Sequence, residues 1–160
     1  HVHEHRVISR DPYVVFPGNV QGRHIREPGP RGAVLVTVDG GDISVERLTV
    51  DVLRWAHLHV DASAARTLED VANAACREIE GALRQHAEGR PLAVRVTVEG
   101  RTAVHGTLFG LETQLRAEIL AQASMLGSDA VWVEKVRLET RPEIDAAMMA
   151  PGDISCWMTR

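Results

Sequence analysis

A chain of 160 residues is long enough for one compact domain, or for a small domain carrying part of another. Its 44% hydrophobic and 25% charged residues are ordinary for a globular protein, and no apolar run approaches the ~20 residues that span a bilayer. The net charge of −4 excludes a protein whose whole surface binds nucleic acid, because that affinity comes largely from Lys and Arg neutralising phosphates.

The charge is unevenly placed. Residues 1–32 hold five arginines (Arg6, Arg10, Arg23, Arg26, Arg31) against three acids (Glu4, Asp11, Glu27), a local surplus of two positive charges that leaves −6 for the remainder. Four of the eight histidines, His1, His3, His5 and His24, lie in the same segment, so the chemistry is expected there. The first residues have neither the apolar stretch nor the small-residue cleavage site of a secretory signal. Cys76 and Cys156 are far apart, and Cys76 falls in an amphipathic stretch where a buried free thiol is expected. A reducing cytoplasm fits.

Up to residue 50 the pattern is strands and turns. Tyr13 to Phe16 is a short apolar run stopped by Pro17-Gly18. The segment from Gly22 to Gly32, with Pro28 and Pro30, is a loop, and Ala33–Val38, Asp39-Gly40-Gly41 and Ile43–Val50 read as a hairpin. From Arg54 to Val60, Ala56, Leu58 and Val60 alternate with Trp55, His57 and His59, the mark of a strand with two dissimilar faces. Thr67 and Asp70 form a capping box, and Leu68, Val71, Ala72, Ala75, Ile79 and Leu83 recur at helical spacing to an expected end near Gly89. Leu92–Val98 alternates as a strand, Glu99-Gly100 reads as a turn, and Thr102–Leu108 as a weaker returning strand. Leu111, Leu115, Ile119 and Leu126 mark a second helix ending at Gly127, and Val131–Leu138 closes the set. The tail beyond Arg141, with Pro142, Pro151 and scattered Ile144, Met148 and Met149, is expected to be irregular.

From residue 54 the order is therefore strand, helix, strand, strand, helix, strand. This is an α+β arrangement of the split βαβ kind, with two helices covering one sheet face, and it hosts too many functions to name one.

Chemistry enters with His1-Val2-His3. In an extended segment residues i and i+2 point the same way, so two imidazoles at this spacing reach a common metal centre; the pair alone is a weak signal. The motifs downstream of it sharpen the signal. His1-Val2-His3-Glu4, Tyr13-Val14-Val15-Phe16-Pro17-Gly18-Asn19, Gln21-Gly22-Arg23-His24 and Gly29-Pro30-Arg31-Gly32 together resemble the end of the catalytic domain in bacterial metallophosphoesterases of the SbcD type, which act in DNA repair. The resemblance covers residues 1–50, and the elements up to about residue 140 are similar in order to the capping domain that comes next in that family.

The resemblance implies that His1 and His3 each ligate one ion of a manganese-type pair, which polarises a phosphodiester and supplies a hydroxide nucleophile. Asn19, Gln21, Arg23 and His24 are expected at the same edge as the metal histidines, as phosphate-binding residues, with Arg23 suited to a bidentate contact and Asn19 to holding the turn; the other reading is that Pro17-Gly18-Asn19 is only a turn and Arg23 a solvated surface charge. The family's Asp-x-His motif, bridging Asp and Asn-His motif have no counterpart here, so the implied metal site is a remnant, inactive alone. The implied organisation is 1–50 as the end of a catalytic domain, 51–140 as a capping domain that shapes DNA access, and 141–160 as a tail. DNA, a coiled-coil ATPase and a second copy of the chain are the implied partners.

Two other readings stand beside it. One is a non-catalytic module that binds a protein or self-associates through its sheet. The other is a mononuclear enzyme using His1, His3 and His5 or His24. His57, His59, His86 and His105 are expected to be structural or solvent-facing. Residues 1–32, with a strand lacking its sheet, are expected to be less well anchored than the rest.

Overall fold

The computed structural model describes residues 3–127 and 129–143. Two antiparallel hairpins come first. Strands β1 (Arg6–Arg10) and β2 (Tyr13–Phe16) pair as a two-stranded sheet, and β3 (Gly32–Asp39) pairs with β4 (Asp42–Thr49) in unbroken register from Gly32↔Thr49 to Asp39↔Asp42. The second hairpin is the one expected from the Asp39-Gly40-Gly41 turn, where Gly40 and Gly41 take positive φ.

The second unit is built from β5 (Arg54–Asp61), α1 (Leu68–Ala82), β6 (Leu92–Thr102), α2 (His105–Gly110), α3 (Glu112–Met125) and β7 (Val131–Pro142). Helix α1 starts as expected: the Thr67 hydroxyl accepts from the Asp70 N–H, and the Asp70 carboxylate accepts from the Thr67 N–H. Its buried stripe is Val71, Ala72, Ala75, Ile79 and Ala82. It runs on into a π-helical turn (Leu83–Ala87) and stops where Glu88 and Gly89 turn to positive φ. Cys76 is half-buried. Helix α1 packs against α3 and the Gln122 amide bonds Asn73 between them, so both helices lie on one face of a single sheet. Val71, Ile79, Leu115 and Ile119 fill the space above Val94, Val96 and Val98.

The mixed α and β class and the two helices on one sheet agree with the sequence reading, but the split βαβ connectivity needs correction. The sheet has three strands in order β5-β6-β7, all parallel, with one strand fewer than expected. The Glu99-Gly100 turn is absent, because β6 is paired with β5 as far as Glu99 and its pairing with β7 carries it on through Gly100 (φ +103) to Thr102. The weaker strand at 102–108 is instead the entry to α2. Val104, Leu108, Leu111, Leu115 and Ile119 show spacings of four, three, four and four, a helical series, and Val104, Leu108, Leu115 and Ile119 are buried.

The face away from the helices carries Trp55, His57, Arg95 and Arg137 and an exposed Trp132. The expected weak anchoring of residues 1–32 divides: the β1–β2 hairpin exposes Ile8, Val14 and Phe16, whereas the loop after β2 is tied firmly into the rest. No described helix is long and apolar enough to cross a membrane.

Candidate functional site

The site forms where the chain leaving β2 folds back over the residues before β1. Gly18 (φ +78) makes this approach possible, since a Cβ there would lie 2.7 Å from the His5 nitrogen and 2.9 Å from the His3 carbonyl oxygen. The Asn19 N–H then donates to the His3 carbonyl at 3.0 Å, and the Gly32 N–H to the Asn19 carbonyl at 3.2 Å.

At the centre lies Glu27, only 4% exposed. Its Oε1 accepts from the Asn19 amide at 3.0 Å and lies 2.5 Å from His3 Nδ1, while Oε2 accepts from the Arg23 N–H at 2.9 Å. His24 Nε2 stands 3.8 Å away. The Arg23 backbone bond, then the His3 bond and the proximity of His24, hold the Glu27 carboxyl down from 4.5 to about 2, against the opposing effect of burial. Glu27 is therefore an ionised, buried carboxylate whose charge is met by donors from three directions. A second buried charge completes the clasp. Arg31 is 5% exposed and donates to the His3 carbonyl (2.9 Å) and the Pro28 carbonyl (3.1 Å).

The loop is fastened to the three-stranded unit by further contacts. The Gln21 amide donates to the Leu53 carbonyl at 2.7 Å and accepts from the Val52 N–H at 2.9 Å. The Trp55 indole donates to the Gly22 carbonyl at 3.0 Å. Asp51, buried, accepts from the Arg31 N–H at 3.1 Å and from Arg54 Nε at 3.2 Å. Arg54, also buried, reaches on to the Glu88 carboxylate at 3.0 Å and the His86 carbonyl at 2.5 Å, and its guanidinium pKa is raised, chiefly by the Glu88 bond. Arg90 Nε lies 3.0 Å from Asp51 Oδ1 but aims its hydrogen at the Asp51 carbonyl (2.7 Å), so that oxygen gains a nearby charge and no hydrogen bond.

Of the residues singled out from the sequence, His1 lies outside the described residues. His3, Asn19 and His24 are brought together on Glu27, and Arg23 joins them through its backbone while its side chain is exposed. Gln21 commits its amide to residues 52 and 53. His57 and His59 sit on the open sheet face, bonded to Thr97 (2.8 Å) and Glu99 (3.2 Å). Burial, with His59 and Arg95 nearby, lowers the His57 pKa. His105 pairs with Thr140 at 3.0 Å. Sequence reasoning missed Glu27, Arg31, Asp51 and Arg54. The available signals were a lone acid among the arginines of the loop and an Asp-Arg pair three apart at the junction. Among the described residues no three His, Cys, Asp or Glu side chains converge as a metal cage.

Against this geometry, residues 55–141 match the family profile of the middle domain of the metallophosphoesterase YhaO, which is more than half of the chain. This chain belongs to the YhaO metallophosphoesterase family. It is 34% identical over 148 residues to the uncharacterized metallophosphoesterase YhaO of Bacillus subtilis (strain 168). That alignment covers 91% of this chain and 35% of the relative, so the chain spans about a third of the length of the YhaO protein it matches. No solved structure matches. The YhaO middle domain corresponds to the three-stranded unit with its helices, and the YhaO alignment also takes in most of the loop and hairpins that precede it.

Proposed function

We propose that this chain is part of a two-metal phosphodiesterase of the SbcD type that cleaves DNA, contributing the last histidines of the metal site and the domain that caps it. In this reading residues 1–50 end the catalytic domain, 51–140 form the cap, and His1 and His3 each ligate one ion. The observation that carries it is the setting of His3. Its imidazole stands half-exposed above a buried carboxylate, with its backbone gripped by Asn19 and Arg31 and two cationic or titratable groups, Arg23 and His24, on the adjoining loop.

The donor set fits divalent metal chemistry, since a neutral imidazole backed by a carboxylate is a common ligand for such ions. When bound, a manganese-type pair polarises the phosphodiester and lowers the pKa of a water nucleophile. The chain's own residues supply the remainder. His3 ligates, the exposed guanidinium of Arg23 holds a phosphate oxygen pair, and His24 presents a second donor to the same anion. Asn19 and Gln21 keep the loop in place, Asn19 through Glu27 and Gln21 through the linker at 52 and 53.

The test is made in the full-length parent with manganese and linear DNA. His3→Ala should abolish cleavage with the fold intact by circular dichroism, because it removes a surface ligand and no core residue. His57→Ala and His105→Ala should cleave nearly as the wild type does. Retention of cleavage in His3→Ala would overturn the reading.

A further inference from the structure

We infer that Glu27 is a positioning residue: its buried carboxylate fixes the ring orientation and tautomer of His3, so that His3 presents Nε2 to a divalent metal. The inference rests on the proposed metal-site reading and adds a residue to it.

The argument is one of donors and acceptors. Both Glu27 oxygens already serve as acceptors, Oε1 for the Asn19 amide and Oε2 for the Arg23 N–H, so the His3–Glu27 bond is made with the proton on His3 Nδ1. A neutral imidazole protonated there holds its other lone pair on Nε2, the atom through which it would then ligate. Free histidine leans to the opposite tautomer, so the protein must impose this one, and a carboxylate behind the ring is the usual means.

Glu27 is itself rigidly placed. Oε1 is shared by Asn19 and His3, and Oε2 takes the Arg23 N–H, which locks the carboxylate plane from both ends. The segment that carries it is closely packed: a Cβ on Gly22 would lie 2.7 Å from the Glu27 carbonyl oxygen and 3.2 Å from the Trp55 ring. Each carboxylate oxygen already has a nitrogen donor, so Glu27 acts behind the ligand and not as a ligand itself. The residues on which it depends are contributed by three separate stretches, at positions 3, 19 and 23, which a fortuitous surface ion pair would not need.

The experiment compares the 160-residue chain with Glu27→Gln, which keeps size and shape but points an amide N–H2 at donors. Ring nitrogen chemical shifts report the His3 tautomer, and Mn2+ added alone, read as paramagnetic broadening of the His3 ring signals, reports metal affinity even in the millimolar range. The expected result is an Nδ1–H tautomer at His3 in the wild type, its loss in Glu27→Gln, and binding of Mn2+ weakened about 10-fold or more. In a His3→Ala background, where the neighbouring His24 ring signals are the reporter, adding Glu27→Gln should leave the Mn2+ effect unchanged. Equal affinity in wild type and Glu27→Gln, or an Nε2–H tautomer in the wild type, overturns the inference and leaves the metal-site reading standing. Absence of any Mn2+ effect on His3 in the wild type overturns the inference, while the metal-site reading is overturned by retained cleavage in His3→Ala of the full-length parent. Should Glu27→Gln fail to fold, Asn19→Ala, which frees one edge of the same carboxylate, should give a smaller shift of the tautomer in the same direction, and an unchanged tautomer there counts against the inference.

Discussion

Asp51→Ala should destabilise the chain by about 3–5 kcal/mol, the range for removing one partner of a buried ion pair. Asp51 is buried at 3% exposure and Arg54 at 2%. Removal of the carboxylate leaves the Arg54 guanidinium with the His86 carbonyl and Glu88, whose side chain is 63% exposed and whose compensation is screened by water. It also strips the acceptor from the buried Arg31 N–H, a group that costs about 1–3 kcal/mol when left unsatisfied. Asp51→Asn keeps one acceptor and the shape and loses the charge, so it should cost about 2 kcal/mol. Urea unfolding, monitored by tryptophan fluorescence and far-ultraviolet circular dichroism, measures both. The double variant Asp51→Leu, Arg54→Met should recover most of the loss, because apolar replacement of a buried pair is often neutral. A cost below about 1 kcal/mol for Asp51→Ala, the value of a solvated surface pair, would show that water reaches the junction and that the clasp does not hold the loop.

The isolated chain should show no manganese-dependent cleavage of linear DNA above background, since a two-metal centre also requires bridging carboxylates; robust cleavage that disappears in His3→Ala would show the site to be complete. Thr67→Ala should cost about 1 kcal/mol through the lost cap of α1. Asp70, whose pKa is lowered below 3.8 mainly by the Arg66 N–H and then by Thr67, contributes stability that is fully present above pH 3.8 and lost as pH falls through its folded value. Melting temperatures of wild type and Asp70→Asn should therefore converge in acid. Amide exchange should be fast from Arg6 to Phe16, in a two-stranded hairpin with exposed apolar side chains, and slower at Asn19, Arg23, Arg31 and Gly32, whose N–H groups are all bonded within the clasp.

The elements most legible from sequence were those specified by local chemistry. The Thr67/Asp70 box, the stripe ending near Gly89 and the Asp39-Gly40-Gly41 turn are all read from residues within one turn of each other, and the structure has them where the pattern put them. The misread stretch, 99–108, is one where a short-range signal competed with a long-range one. Glu99-Gly100 is a good turn pair by itself, but β6 is the central strand, and its pairing with β5 as far as Glu99 and with β7 as far as Thr102 outweighs it. Parallel pairing was also illegible locally, because alternation in β5 and β7 describes edge strands of either sense. At the site, residue types announced His3 and its loop. Glu27, Arg31 and Asp51 became visible only through distance, since buried charges look like surface charges until the chain closes around them.

That closure bears on what the second unit does for the first. Its contacts with the loop are made by Val52, Leu53, Asp51 and the first residues of β5, and they fall on Gln21, Gly22 and Arg31, which flank Arg23, His24 and Glu27 on both sides. Trp55 is the most telling of these. One end of its indole donates to the Gly22 carbonyl while its ring fills the space a side chain at position 22 would occupy, so the start of β5 sets the height of the loop. A unit that only limited access to a metal site would touch the loop at its rim and be free to swing. Here the junction is polar, buried and bonded to backbone groups, with charges that must stay paired, and such a junction resists a swing more than an apolar one that can slide. The three-stranded unit therefore acts as the support against which the loop carrying Glu27 is held, and its sequence constrains how that loop meets His3.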